Sequence, residues 1–219
     1  MFEVGEMNMN LKERNANMRD FFNKKIDSYD MVHNNFMNIK SKITDYLKED
    51  TKKVLDLGAG TGLELIPFFE RFPNAKVVAI DITENMLREL KKRSFADNVT
   101  TICGDFFEVD FGGGYDAVIS TSALHHFLKE DKIKLYEKVY NCLGDNGQFI
   151  NVDKFALTEK EECDLLNEFY DNKNNKPHLD TPLAISTEKQ ILEEVGFVDV
   201  LFEEVDKDSY KLMHAVKRR

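Results

Sequence analysis

Apolar residues fall into short runs separated by stretches of helical period. Val54-Leu-Asp-Leu57, Lys76-Val-Val-Ala-Ile-Asp81, Val99-Thr-Thr-Ile-Cys103, Tyr115-Asp-Ala-Val-Ile-Ser-Thr121 and Gln148-Phe-Ile-Asn-Val152 are each dense in valine, isoleucine or leucine, the pattern of strands buried on both faces. Between them, Met86, Leu87 and Leu90 follow a capping Thr83, and Ile133, Tyr136, Val139 or Tyr140 and Leu143 lead up to Gly144. Strands alternating with helices predict an α/β sheet. Ahead of the first strand, Val32, Phe36, Ile39, Ile43 and Tyr46 or Leu47 predict one amphipathic helix packed against it, and residues before about Lys12 are expected to fray.

Beyond the fifth strand the pattern changes. Thr158-Glu-Lys-Glu161 is a capping-box signature opening a helix whose apolar face is Leu165, Leu166, Phe169 and Tyr170. A polar run, Asp171 to Lys176, gives way to Pro177-His-Leu-Asp-Thr-Pro182, two prolines stiffening a loop with His178 and Asp180. Thr187-Glu-Lys-Gln190 starts the last helix, with Ile191, Leu192 and Val195 inward before Gly196. Phe197 to Val205 and Tyr210 to Val216 flank Asp206-Lys-Asp208 as a β-hairpin.

The 219 residues, 42% of them hydrophobic, suffice for one core, and no second domain is evident. A net charge of −10 disfavours nucleic acid as a general partner, because such binding neutralises phosphates with lysine and arginine. Lys91-Lys92-Arg93 reads as cations at a helix end, where the dipole favours them. No apolar run matches a bilayer and no basic-then-apolar leader is present, so a cytoplasmic protein without membrane contact is expected. Cys103, Cys142 and Cys163 are widely spaced, which predicts reduced thiols and no metal site.

Chemistry concentrates in Val54-Leu-Asp-Leu-Gly-Ala-Gly-Thr-Gly62, where a strand-end acid and three alternating glycines precede a helix. Such a turn lets a ligand approach the backbone. The dinucleotide fingerprint needs its third glycine one position later, which weighs against a nicotinamide oxidoreductase. Asp81 ends the second strand nineteen residues past Gly62, the distance at which an acid meets an adenosine ribose.

This spacing resembles the first motif of the class I S-adenosylmethionine-dependent methyltransferases, small-molecule type. The resemblance implies that Gly58, Ala59 and Gly60 cradle the methionine half of S-adenosyl-L-methionine, with Asp56 close to its amino group. Asp81 would take the ribose, while Ile82, Met86, Asp105 and Phe106 would form the adenine pocket. Thr121 and the paired His125 and His126 would lie beside the methyl group, either histidine being a candidate base, and Tyr29 would cover the cofactor. The implied fold is a Rossmann-like doubly wound sheet of order 3-2-1-4-5-7-6 with strand 7 antiparallel. Within a single domain over 1–219, residues 1–50 would be a helical leader covering the cofactor and 51–153 the cofactor-binding core. Residues 154–185 would be an insert lining the acceptor pocket, and 186–219 the last helix and hairpin.

The implied reaction is methyl transfer to a small-molecule acceptor, leaving S-adenosyl-L-homocysteine. No Asp/Asn-Pro-Pro-Tyr/Phe follows the fourth strand, no Pro-Cys pair suits a covalent cytosine mechanism, and Ser120-Thr121 is not an acidic magnesium site. O-, N-, S- and C-methylation stay open, as does the oligomeric state. The alternatives are a protein of this fold that binds the cofactor without transferring methyl, and a nicotinamide-dependent oxidoreductase.

Overall fold

The computed structural model describes residues 10–33, 37–171, 180–205 and 210–219. Residues 1–9, Phe36, His178 and the Asp206-Lys-Asp208 turn lie outside the described residues. The leader consists of α1 (Leu11–His33), α2 (Met37–Lys40) and α3 (Lys42–Tyr46). Then come β1 (Lys53–Leu57), α4 (Leu65–Arg71), β2 (Lys76–Asp81), α5 (Glu84–Leu90), β3 (Val99–Cys103) and β4 (Tyr115–Thr121). The chain continues through α6 (Lys129–Cys142), β5 (Leu143–Lys154), α7 (Glu159–Asp171), α8 (Ile185–Val195), β6 (Val198–Glu204) and β7 (Tyr210–Val216). Among the described residues no helix is long and apolar enough to cross a membrane.

The strands form one sheet of order β3-β2-β1-β4-β5-β7-β6. Only β7 runs antiparallel to its neighbours, β5 and β6. Both sheet faces are apolar because alternate residues of the central strands serve opposite sides. Leu55, Leu57, Val118 and Phe149 pack with Leu135 and Tyr136 of α6 and Ile191 and Leu192 of α8. Val54, Ala117, Ile119 and Ile150 pack with Ile43 of α3, Phe68 of α4 and Leu90 of α5. Between α6 and α8, Lys132 and Glu188 are bonded to each other with each side chain 1% exposed, and Glu188 also accepts the Tyr136 hydroxyl at 2.7 Å. The strand order reverses between β1 and β4, which opens a crevice at their carboxyl ends.

Four local features differ from the sequence reading. The periodicity over residues 32–47 is divided among three helices rather than carried by one. Ser41 donates its hydroxyl to the Asn38 carbonyl at 3.0 Å, and Thr44 donates to the Ser41 carbonyl at 2.6 Å, so side chains compete with the helical ladder. The helix expected to close at Gly144 ends at Cys142, because Leu143 pairs with Tyr115 and joins the sheet; Asn146, at φ 58°, then takes the left-handed turn. Thr83 caps α5 by position, but its hydroxyl makes no capping bond. The last helix begins at Ile185, two residues before Thr187, whose hydroxyl donates instead to Glu162 at 2.7 Å.

The α7 capping box is displaced by one residue on one side. Thr158 Oγ1 accepts the Glu161 N–H at 3.2 Å, while the Glu161 carboxylate accepts the Leu157 N–H at 2.8 Å. The two ends of the insert are pinned together. Ala156 donates its N–H to Leu183 at 3.0 Å and accepts that of Ile185 at 3.2 Å, forming a parallel bridge with Ala184.

Candidate active site

The glycine turn leaves β1 with Gly58 at φ 77° and Gly60 at φ 50°. Its geometry is fixed by Gly58 and Ala59 donating to the Ile80 carbonyl at 2.8 and 3.2 Å. A β-carbon on Gly58 would fall 2.5 Å from Cβ of Ala123, and one on Gly60 would meet the Tyr29 hydroxyl at 3.4 Å. The turn therefore has Tyr29 of the leader over one glycine and the β4 loop against another.

A cleft at this edge is lined by Tyr29, Gly58, Gly60, Asp81, Ile82, Met86, Asp105, Phe106 and His126 of the residues singled out from sequence. Asp56, Ala59, Thr121 and His125 are not on its wall. Asp56 lies buried below the turn, Ala59 is buried within it, and Thr121 is enclosed at the end of β4. Asn15, Met18, Ser122 and Ala123 also line the cleft and were missed by sequence reasoning. Asn15 and Met18 were signalled by helical spacing, since 15, 22 and 29 recur at sevens and 18 lies four before 22.

Asp81 Oδ2 accepts the Gly60 N–H at 2.9 Å and Oδ1 the Thr83 N–H at 2.8 Å. Burial pushes its pKa up to about 6 against the opposing pull of those bonds. Asp105 Oδ1 accepts the Phe107 N–H at 2.9 Å and Oδ2 accepts Asn15 Nδ2 at 2.7 Å. The leader is tied down again at its other end. Asp30 accepts the Thr61 hydroxyl at 2.5 Å and Arg93 Nη2 at 2.6 Å, while Arg93 Nε donates to the Thr61 carbonyl at 3.0 Å. Arg93 is thus a clamp between leader and glycine turn, not the helix-end cation expected from its neighbours.

Beneath the turn, Lys40 Nζ donates to Glu64 Oε2 at 3.1 Å and to Thr121 Oγ1 at 2.7 Å, and Thr121 Oγ1 donates to Glu64 Oε2 at 3.0 Å. Sequence reasoning missed Lys40 and Glu64, which carry no motif of their own.

His126 faces the cleft with Phe22 edge-on at 5.7 Å, and the His125 ring lies behind it at 3.9 Å between centroids. Asp153 organises this pair. Its Oδ2 accepts the N–H groups of Leu124 and His125 at 2.8 and 3.1 Å; its Oδ1 accepts the Lys154 N–H at 2.9 Å and lies 2.5 Å from His125 Nδ1. Although burial opposes it, the bonded His125 holds the carboxyl well below its ordinary range. An ionised carboxylate only accepts, so His125 Nδ1 carries the proton. Its Nε2 lies 3.6 Å from Asp180 Oδ1. Next to this pair, Ser122 takes φ 55° and donates its hydroxyl to that of Tyr210 at 3.3 Å.

A family model described as a methyltransferase domain matches residues 54–147. The chain is 27% identical to the carboxy-S-adenosyl-L-methionine synthase of Nautilia profundicola, with 73% of this chain and 68% of that protein covered. It is 28% identical to the malonyl-[acyl-carrier protein] O-methyltransferase of Bacillus cytotoxicus, covering 78% of this chain and 61% of that one. An uncharacterized protein of Methanocaldococcus jannaschii is 35% identical over 60% of this chain, which spans only 34% of that relative's length. The solved DhpI complex with S-adenosylhomocysteine has the same fold, with a TM-score of 0.74 at 15% identity over 95% of this chain and 99% of that one. Residues 54–147 match a methyltransferase domain, and sheet order and glycine turn agree with the fold of the class I S-adenosylmethionine-dependent methyltransferases.

Proposed function

We propose that this protein transfers the methyl group of S-adenosyl-L-methionine to a small-molecule acceptor. The observation that carries the reading is the convergence of Gly60, Asp81, Asp105 and His126 on one cleft at the reversal of strand order. The residues present fit that cofactor. Gly58 and Gly60 form a cradle that β-carbons would obstruct, and both buried oxygens of Asp56 lack a hydrogen-bond donor that an amino group supplies. Asp81 and Asp105 would hold the ribose and the adenine amine, with Ile82, Met86 and Phe106 around the ring; each bonded carboxylate oxygen retains a second lone pair. When bound, the sulfonium supplies an activated methyl with a good leaving group. The chain's own part is then to align the acceptor, exclude water beneath α1 and, for a protonated acceptor, take up a proton. His126 is placed for that proton because it stands on the cleft wall, backed by the His125–Asp153 pair. Incubating methyl-labelled cofactor with fractionated metabolites tests the reading; label that stays on the cofactor in every fraction would overturn it.

Asp81→Ala is expected to weaken cofactor binding about ten- to a hundredfold, since hydrogen bonds to a charged group contribute about 1.5–3 kcal/mol. Ribose hydroxyls favour the ionised carboxylate, so affinity is expected to rise with pH through about 6 and then level. Calorimetric titrations of wild type and variant across that range check both expectations.

His126→Gln keeps much of the size but removes the titratable ring. Turnover on an identified acceptor is expected to fall about 10²- to 10⁴-fold with cofactor affinity little changed. If only His125→Gln loses rate, the proton goes to the inner histidine; near-normal turnover in both variants means alignment and desolvation suffice.

A further inference from the structure

Asn15 of α1 stands on the cleft wall and is 4% exposed, yet its amide is only half used. Nδ2 donates to Asp105 Oδ2 at 2.7 Å, which fixes the orientation of the amide, because a carboxylate accepts and only the nitrogen edge can donate to it. Oδ1 is buried and receives no hydrogen bond. Leaving such an acceptor unfilled is costly, so a donor carried by a ligand in the cleft counts for more here than at a wet surface. Asn15 has little freedom to turn away. Arg14 is bonded to Asp131 at the start of α6, Asn85 Nδ2 of α5 donates to Asn23 Oδ1 at 3.0 Å, and Met18 and Phe22 of the same helix line the cleft. The leader thus presents one fixed acceptor beside a carboxylate whose two oxygens are each bonded once and can each accept again. A planar amino group, with two N–H bonds diverging from one nitrogen, suits such a pair of neighbouring acceptors. A carbonyl oxygen in its place meets only like partial charge.

We propose that Asn15 is a specificity residue, which reads the 6-amino group of the cofactor's purine together with Asp105 and so makes the leader helix a determinant of base selectivity as well as a cover. The proposal rests on the cofactor reading above and adds Asn15 to it. One side chain then has two partners: its nitrogen fastens α1 to Asp105 behind β3, and its oxygen takes a hydrogen of the base. Docking of the leader and recognition of the base are therefore coupled. A 6-oxopurine in an otherwise identical cofactor fills neither acceptor at that position and holds the leader less firmly.

Calorimetric titration with S-adenosyl-L-homocysteine and S-inosyl-L-homocysteine measures the preference, since the two share ribose and amino-acid end and differ in carrying a 6-amino or a 6-oxo purine. Wild type is expected to favour the adenosyl compound at least about a hundredfold, as a site built around hydrogen bonds rejects a ligand that leaves them unmade. In Asn15→Ala that preference should shrink about five- to thirtyfold, through weaker binding of the adenosyl compound and little change for the inosyl one. A residue that merely fastened α1 would weaken both by the same factor. No preference in wild type, or a preference unmoved in the variant, would overturn the proposal. Alanine is the better helix former, which favours folding of the variant. Should it nevertheless fail to fold, hydrogen exchange on the unsubstituted protein decides: Leu11 to Asn23 of α1 should gain more protection with saturating adenosyl than with saturating inosyl compound, and equal protection would overturn the proposal. Failure of both compounds to bind wild type would instead overturn the cofactor reading, and the role of Asn15 with it.

Discussion

Gly58→Ala is expected to lower cofactor affinity at least about a hundredfold and to destabilise the fold by about 2–5 kcal/mol, from left-handed backbone strain of about 1–2 kcal/mol and overpacking of about 1–3 kcal/mol. The first cost arises because Gly58 sits at φ 77°, where a side chain crowds the backbone. The second arises because the new methyl would lie 2.5 Å from Cβ of Ala123. Ala123 cannot retreat freely. It follows Ser122, itself at φ 55° and bonded through its N–H to Val152 at 3.0 Å, and it precedes the segment that Asp153 holds. Relief of the clash therefore displaces the histidine pair as well as the turn. The double variant Gly58→Ala/Ala123→Gly removes the methyl–methyl collision but not the backbone strain, so it should recover part of the stability. Thermal denaturation with calorimetric titration separates the two costs; unchanged affinity in the single variant would refute the cradle assignment.

Lys132→Met is expected to destabilise the protein by about 3–5 kcal/mol, the cost of leaving one member of a buried ion pair alone. Glu188 is fully enclosed between α6 and α8 and would keep only the Tyr136 hydroxyl. The variant must protonate that carboxyl or admit water, and α6 must loosen from α8 in either case. Lys132→Met/Glu188→Leu should regain most of the loss, because the desolvation of both charges disappears together. Urea denaturation measures the pair. A single variant as stable as wild type would show that the interface is wetter than its side-chain exposures imply.

The sheet was legible because both of its faces are buried, so each strand is an apolar run in which no other reading competes. Motif positions followed, since Gly58, Asp81, Asp105 and His126 all stand at or just past strand ends. The leader was read poorly for a physical reason. Periodicity records which residues are apolar but not where Ser41 and Thr44 hydroxyls capture carbonyls, so one helix was expected where three stand. Similarly, Gly144 looked like a helix stop, yet pairing of Leu143 with Tyr115 is a tertiary event without local signature. The polar network beneath the turn was invisible for the same reason. Lys40 and Glu64 lie 24 positions apart, and only the fold, which brings α2 to the end of β4 and the start of α4, makes them neighbours.

Asp56 shows what a motif can and cannot say. Its position in the strand makes it a candidate site residue, but the turn lies over it and the cleft wall does not include it. Asp105 and Phe106, by contrast, lie on the wall as their motif implies, with Asn15 of the leader on the same carboxylate.

The pinning of Ala156 against Ala184 carries a consequence for how such a chain diversifies. Twenty-seven residues, 157 to 183, depart from and return to one backbone bridge, with further ties from Glu162 to Thr187 and from Thr181 to His125. Lengthening a loop closed in this way adds little entropic cost, because closure entropy grows only with the logarithm of length. Outside those ties, length and character can change while β5 and α8 keep their register. The closed neck makes this stretch a cassette that can be exchanged without disturbing the sheet.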